Sequence, residues 1–155
     1  WRNLMVDILH RVGIKAPINE VYKAVATREG VAAWWTQHTT GDSKVGGALH
    51  FRFTSNGEEI GDIEMKVLAL QPNQQVRWQT IGGPAEWIGT QLSFDLRQDG
   101  EYVILLFKHQ GWKEAVEFMH HCSTKWAIFL MSLKQLVETG QGLPNPHDTK
   151  IDDWN

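Results

Sequence analysis

A chain of 155 residues, 42% hydrophobic and 21% charged, carries enough apolar side chain for one buried core and too little charge for a disordered segment. A formal net charge of −3, with no cluster of lysine and arginine, speaks against nucleic acid or an anionic membrane as partner. No apolar run approaches a membrane span, no signal-peptide pattern opens the chain, and the single cysteine, Cys122, leaves no internal disulfide. A reducing, cytoplasmic location is therefore expected, with Met5 a candidate first residue.

The first element is a strand up to Ile14. Ile8, His10, Val12 and Ile14 fall on one face and Asp7, Leu9 and Arg11 on the other. Ala16-Pro17 starts a helix, because proline fits a first turn, and Glu20 near its start suits the helix dipole. Val21, Ala24 and Val25 form its apolar face. Thr27 is expected to cap a second short helix over 28–35, anchored by Val31, Trp34 and Trp35. A polar loop with Gly41, Asp42, Gly46 and Gly47 follows.

Strands then come in hairpin order. Leu49, Phe51 and Phe53 face one way and His50 and Arg52 the other, before a turn at Asn56-Gly57. Ile63, Met65 and Val67 alternate with Asp62, Glu64 and Lys66. After Pro72-Asn73, Val76, Trp78 and Thr80 point inward, and Gly82-Gly83-Pro84 ends that strand. Ile88, Thr90, Leu92, Phe94 and Leu96 alternate next. Asp99-Gly100 turns the chain, and Val103, Leu105, Phe107 and His109 close the series.

The chain ends in one long helix, predicted over 111–140. Met119, Cys122, Trp126, Phe129, Leu130, Leu133, Leu136 and Val137 recur at steps of three and four and form one apolar stripe. Ser123-Thr124 offers an alternative cap, with 113–120 a separate short helix. Gly140 and Gly142, then Pro144 and Pro146, stop it. Hairpin connections dictate antiparallel pairing, and strict alternation gives each strand one buried face, so the helix must lie on that face. The fold class is α+β with about six strands. One domain is expected over 1–155, with its core at 6–139 and an extended tail at 140–155 docked by Ile151 or Trp154.

Several of these residues together resemble one family. Ile14-Lys15-Ala16-Pro17, the Trp34-Trp35 pair, Gly41-Asp42, Val45-Gly46-Gly47, His109-Gln110-Gly111-Trp112 and Trp126, Leu130, Leu133 and Val137 up to Gly140 are similar, in order and spacing, to homologues of the heat-shock-protein-90 ATPase activator. That family lies in the START-like (SRPBCC), helix-grip superfamily, and the run from His121 to Trp126 resembles a bacterial branch. The resemblance implies a curved antiparallel sheet wrapped around the C-terminal helix, with an elongated apolar cavity between them.

The inward residues supply the candidate site. Phe51, Trp78, Phe94 and Phe107 from the strands, with Cys122, Trp126 and Phe129 from the helix, would wall a cavity, and His10 and His109 would give it polar anchors. Trp34, Trp35, Trp87 and Trp112 sit near element ends, where a mouth would lie. Eight tryptophans fit either a lined cavity or a filled core, and both readings stay open. No catalytic residue stands out. No cofactor or metal is expected, since HExxH and CxxC spacings are absent and adjacent residues point about 100° apart on a helix, so His120 and His121 cannot both join the Cys122 face. The leading expectation is binding of a small apolar or aromatic molecule. Alternatives are a cyclase- or hydrolase-like enzyme using His109 or His10 to move protons, and a chaperone-activator-like interaction module. Ile128 and Met131, opposite the apolar stripe, are candidate contacts of a homodimer.

Overall fold

The computed structural model describes residues 5–155; the first four residues of the expected domain lie outside the described residues. Among the described residues, β1 (Val6–Ile14) is followed by α1 (Ile18–Ala26) and α2 (Arg28–Ala32). Six strands then run in series: β2 (His38–Gly41), β3 (Ala48–Ser55), β4 (Glu58–Gln71), β5 (Gln75–Gly82), β6 (Gln91–Asp99) and β7 (Tyr102–Trp112). The long helix α3 (Glu117–Thr139) comes last. The strands form one antiparallel sheet in the order β1-β7-β6-β5-β4-β3-β2. This is the α+β helix-grip arrangement, with α3 on the inner face.

The alternation places the core as expected. Leu49 and Phe51, Ile63, Met65 and Val67, Val76, Trp78 and Thr80, and Val103, Leu105, Phe107 and His109 are all buried. Met119, Cys122, Trp126, Phe129, Leu130 and Leu133 of α3 pack against them. Thr27 caps α2 as expected, its hydroxyl accepting the Gly30 N–H at 3.0 Å.

Four local expectations are corrected. The sheet has seven strands, because part of the expected polar loop is the edge strand β2, whose Thr39 pairs with Phe51. A four-residue strand is too short to display a period. The second helix stops at Ala32, and Trp34 and Trp35 lie in the turn after it. β6 begins at Gln91, and Ile88 is 47% exposed in the preceding turn, where the Thr90 hydroxyl folds back to donate to the Trp87 carbonyl. Finally, α3 starts at Glu117 rather than near Gly111, and it is one helix with no break at Ser123.

The residues 111–112 continue β7 instead. The β1 register shifts between Ile8↔His109 and Val6↔Trp112, so an extra residue is accommodated there as a bulge. Gly111 takes φ +91° at that point, and its N–H donates to Asp7 Oδ1 at 3.0 Å.

The tail is docked by other residues than expected. Ile151 and Trp154 remain 36% and 49% exposed, whereas Asn145 and Asp148 are buried. Asn145 imitates a strand neighbour: its amide accepts the Thr54 N–H at 2.9 Å and donates to the Thr54 carbonyl at 3.0 Å. Its backbone N–H donates to Trp35 O at 2.8 Å. Asp148 accepts from Lys125 of α3, which anchors the tail over the helix.

Candidate functional site

The inner face of the sheet is filled by rings rather than hollow along its length. Trp35 packs on Phe51 at 4.5 Å and on Trp126 at 5.0 Å between ring centroids, and stacks on Trp78 at 6.2 Å. Phe107 meets Trp126 at 4.5 Å and Phe94 at 5.4 Å. Edge and tilted contacts of this kind add to the burial of each ring. The elongated cavity implied by the resemblance is thereby occupied over most of its expected course.

His109 is at the centre of this packing, fully buried among Trp87, Trp112 and Trp126. An indole N–H can only donate, so the 3.1 Å contact from Trp126 Nε1 makes His109 Nδ1 an acceptor. The proton therefore sits on Nε2, which donates to Thr90 Oγ1 at 2.9 Å. Thr90 donates in turn to the Trp87 carbonyl at 2.6 Å and has a second lone pair for the Thr80 hydroxyl at 3.2 Å. Desolvation by burial pushes the His109 pKa down to about 3. A ring held neutral, with both nitrogens engaged, is a crosslink between α3, β7 and the turn before β6. It is not placed to move protons.

His10 stands apart. It lies on the inward face of β1 and meets α3 about one turn before Trp126, with Ser123 Oγ 3.4 Å from its Nε2 and Phe107 6.3 Å away between ring centroids. The two histidines have different partners, His10 beside Ser123 and His109 between Trp126 and Thr90.

What remains open is a recess of about 160 Å³ at one end of the grip. Phe53 of β3 and Ile60 and Ile63 of β4 form one wall, with Pro84 and Trp87 from the β5–β6 connection beside them. Phe118, Cys122, Trp126 and Phe129 of α3 form the opposite wall, and Trp154 and Asn155 stand at the rim. Of the residues expected at the site, Cys122, Trp126 and Phe129 line this recess. Phe51, Trp78, Phe94, Phe107 and His109 pack behind it. Of the tryptophans placed at a mouth, Trp35 and Trp87 line it, while Trp34 and Trp112 are buried elsewhere in the core.

Three residues that line the recess carry a deeply buried polar atom, that of Trp87 lying against the Cys122 thiol. The atoms are Trp87 Nε1, His121 Nδ1 and Asn155 Oδ1. His121 Nδ1 lies 3.8 Å from Asp152 Oδ1, outside hydrogen-bond reach. Burial pushes the Cys122 thiol up to about 12, so it is a neutral wall residue and not a nucleophile. Lys125 also borders the recess, but its ammonium is committed to Asp148 Oδ2 at 2.5 Å and the Thr149 carbonyl at 2.8 Å. Among the described residues, no group of three or more His, Cys, Asp or Glu side chains is gathered as a metal site would require. No helix among them is long and apolar enough to cross a membrane.

Phe53, Phe118 and His121 are absent from the expected site, and Trp87 was expected only at its mouth. A signal existed for Trp87, which follows Gly82-Gly83-Pro84 and so had to sit at a strand end. His121 had none, because on a regular helix it flanks the apolar stripe and not its centre.

Comparison with known proteins places this architecture. The family model described as Activator of Hsp90 ATPase homolog 1-like protein matches residues 15–138. The chain belongs to that family. Among solved structures, the Aha1 dimer from Colwellia psychrerythraea is 42% identical, covering 88% of this chain and 99% of its own, with a TM-score of 0.77. DynU16, from the dynemicin biosynthetic locus, is 20% identical over 88% of this chain and 48% of its own, with a TM-score of 0.68. CalU16 from Micromonospora echinospora is 17% identical over 90% of this chain and 69% of its own, with a TM-score of 0.70. The last two share the fold at an identity that carries nothing further. No curated protein matches the chain. The family match ends just before the tail, so Asn145, Asp148 and Trp154 lie outside it.

Proposed function

We propose that this family member binds a small apolar or aromatic molecule in the recess between sheet and helix. The observation that carries the reading is an apolar recess of about 160 Å³ between sheet and helix, walled by Phe53, Ile60, Ile63, Cys122, Trp126 and Phe129. A cavity on the order of 150 Å³ accommodates a single aromatic ring. Trp126, Phe129 and Cys122 would form the contact wall, with Phe51, Trp78, Phe94, Phe107 and His109 holding that wall in place.

Native mass spectrometry of freshly purified protein, set beside its denatured mass, is expected to show a co-purifying small molecule or free capacity for one. Ligand-observed NMR with benzene and indole is expected to show saturable uptake. Cys122→Met extends a flexible apolar chain into the recess and should abolish uptake while the thermal midpoint stays near wild type. Absence of saturable uptake of both compounds by the wild type would refute the proposal.

A second reading concerns a partner protein. The outer face of α3 carries a groove of about 480 Å³ lined by Ile128, Met131 and Leu143, with Met131 55% and Leu143 44% exposed. The 42% identical Aha1 of Colwellia psychrerythraea is a dimer. A second copy of this chain is the occupant that fits, since an isologous contact needs only one self-complementary patch. Sedimentation is expected to show a dimer that Met131→Glu converts to a monomer. A wild type that stays monomeric at millimolar concentration removes this reading.

A further inference from the structure

The tail changes character after Thr149. Up to that residue it is fastened to the body, Asn145 by Thr54 and Trp35, and Asp148 and the Thr149 carbonyl by Lys125 of α3. Residues 150–155 then pass the rim of the recess, and among the described residues no hydrogen bond ties them to the body. Their own bonds run inward instead. Ile151 N–H donates to the Asn155 carbonyl at 2.8 Å, Asn155 N–H to the Asp152 carbonyl at 3.2 Å, and Trp154 N–H to Asp152 Oδ1 at 2.8 Å. The segment is a small loop folded on Asp152 and fastened at one end.

His121 of α3 meets this loop from beneath. Its side chain is 11% exposed, and its ring lies flat on Phe118 at 6.4 Å and meets the Trp154 ring at 5.6 Å between centroids. Its Nδ1 is buried without a hydrogen-bond partner, and Asp152 Oδ1 stands 3.8 Å away. On its own helix the charged neighbours are Glu117 one turn earlier and Lys125 one turn later, with Lys125 already paired to Asp148. His120 and Asp153 border the same outer groove. The strand and turn residues lining the recess carry no charge. An imidazolium bears an N–H on both nitrogens and a full charge. It would draw Asp152 in by the roughly half an ångström that a hydrogen bond requires. Trp154, held to Asp152 and already lining the recess while 49% exposed, would be carried over the mouth.

We infer that residues 150–155 are a strap across the mouth of the recess, latched by His121 on Asp152, which tightens when His121 is protonated and slackens when it is neutral. This rests on the binding reading above and gives that site a gate. A molecule in the recess enters and leaves more slowly in mildly acidic solution.

The test follows strap order and indole exchange at about pH 7.5 and about pH 5.5, one unit either side of an ordinary histidine pKa of about 6.5. Nitrogen-15 heteronuclear NOEs of the Trp154 backbone and ring N–H, measured without added compound, are expected to rise at the lower pH. The dissociation rate of indole, read from NMR line shapes, is expected to fall roughly twofold to fivefold, the range of one partly exposed charge pair. Asp152→Asn is the discriminating variant, because its amide oxygen keeps the acceptor for Trp154 N–H and only the charge is lost. Both responses should vanish there. In Trp154→Ala indole should leave faster, at one rate at both pH values. A wild type in which either quantity ignores pH, or an Asp152→Asn with the response of wild type, would overturn the latch and leave the recess reading standing. A strap that tightens in a protein with no saturable uptake of indole would refute the recess reading and the gate with it.

Discussion

Asp148→Ala is expected to destabilise the protein by about 3–5 kcal/mol, the usual result of removing one partner from a buried ion pair. Lys125 is buried on α3, and its ammonium has Asp148 Oδ2 at 2.5 Å and the Thr149 carbonyl at 2.8 Å. Without the carboxylate, a lysine under the tail keeps its charge and loses its counter-ion. The tail also loses its clamp, because Asp148 Oδ1 accepts from Lys150 at 3.0 Å and from Asn145 Nδ2 at 3.3 Å. Urea unfolding gives the stability change, and limited proteolysis of residues 141–155 reports release of the tail. A loss under 1 kcal/mol would mean that Lys125 reaches water when its partner is gone. The pair also has a pH signature. Desolvation pushes the Asp148 carboxyl up, but the hydrogen bonds and charges of Lys125 and Lys150 outweigh it and hold the group below its ordinary value. A carboxyl with a depressed folded pKa binds its proton later than the unfolded chain does. Its contribution is therefore complete above about pH 4 and lost as pH falls below that. In Asp148→Ala that low-pH limb should flatten.

The inward faces of the strands were legible because period-two alternation survives any detail of packing. Phe51, Trp78, Phe107 and His109 needed only that rule to be placed inside. β2 was not legible, since His38–Gly41 is too short to alternate and its pairing with β3 is set by backbone hydrogen bonds. Gly111 reads as the start of the last helix, yet it carries β7 through a bulge to Trp112, because the register on β1 demands an extra residue there. Whether the core was filled or hollow depended on volumes, not on pattern. Six large indoles on inner faces and turns suit both outcomes, and among the described residues the rings of Trp35, Trp78 and Trp126 meet and leave a recess at one end of the grip. The tail had no periodicity because polar residues hold it. One clue did exist. Lys125 lies three residues after Cys122 and four before Phe129, so a lysine on the buried stripe required an acid, and Asp148 was among the candidates downstream.

Acidification below pH 6.5 should destabilise the protein through His109 by about 1.4 kcal/mol per pH unit, reaching roughly 2.5–3 kcal/mol at pH 4.5. Burial holds its pKa near 3 in the folded chain, against 6.5 for an ordinary histidine. The sign follows from which state takes the proton first. The unfolded chain protonates His109 as pH falls through 6.5, whereas the folded chain resists until about 3, so stability is complete above 6.5 and declines through the interval. Geometry gives the same direction. An imidazolium has no acceptor, so protonating Nδ1 would put an N–H against the Trp126 N–H that now donates to it at 3.1 Å. His109→Gln isolates the effect, because an amide keeps one acceptor for Trp126 and one donor for Thr90 without titrating. Denaturant unfolding from pH 7 to 4.5 should show the one-proton slope in wild type and its loss in His109→Gln. The interval lies above the Asp148 window, so the two effects separate on one titration. Nitrogen-15 shifts of the His109 ring are expected to report a neutral Nε2–H tautomer down to pH 4.5. A ring that titrates near 6.5 in the folded protein, or a variant with the slope of wild type, would show that Trp126 and Thr90 do not hold His109 neutral.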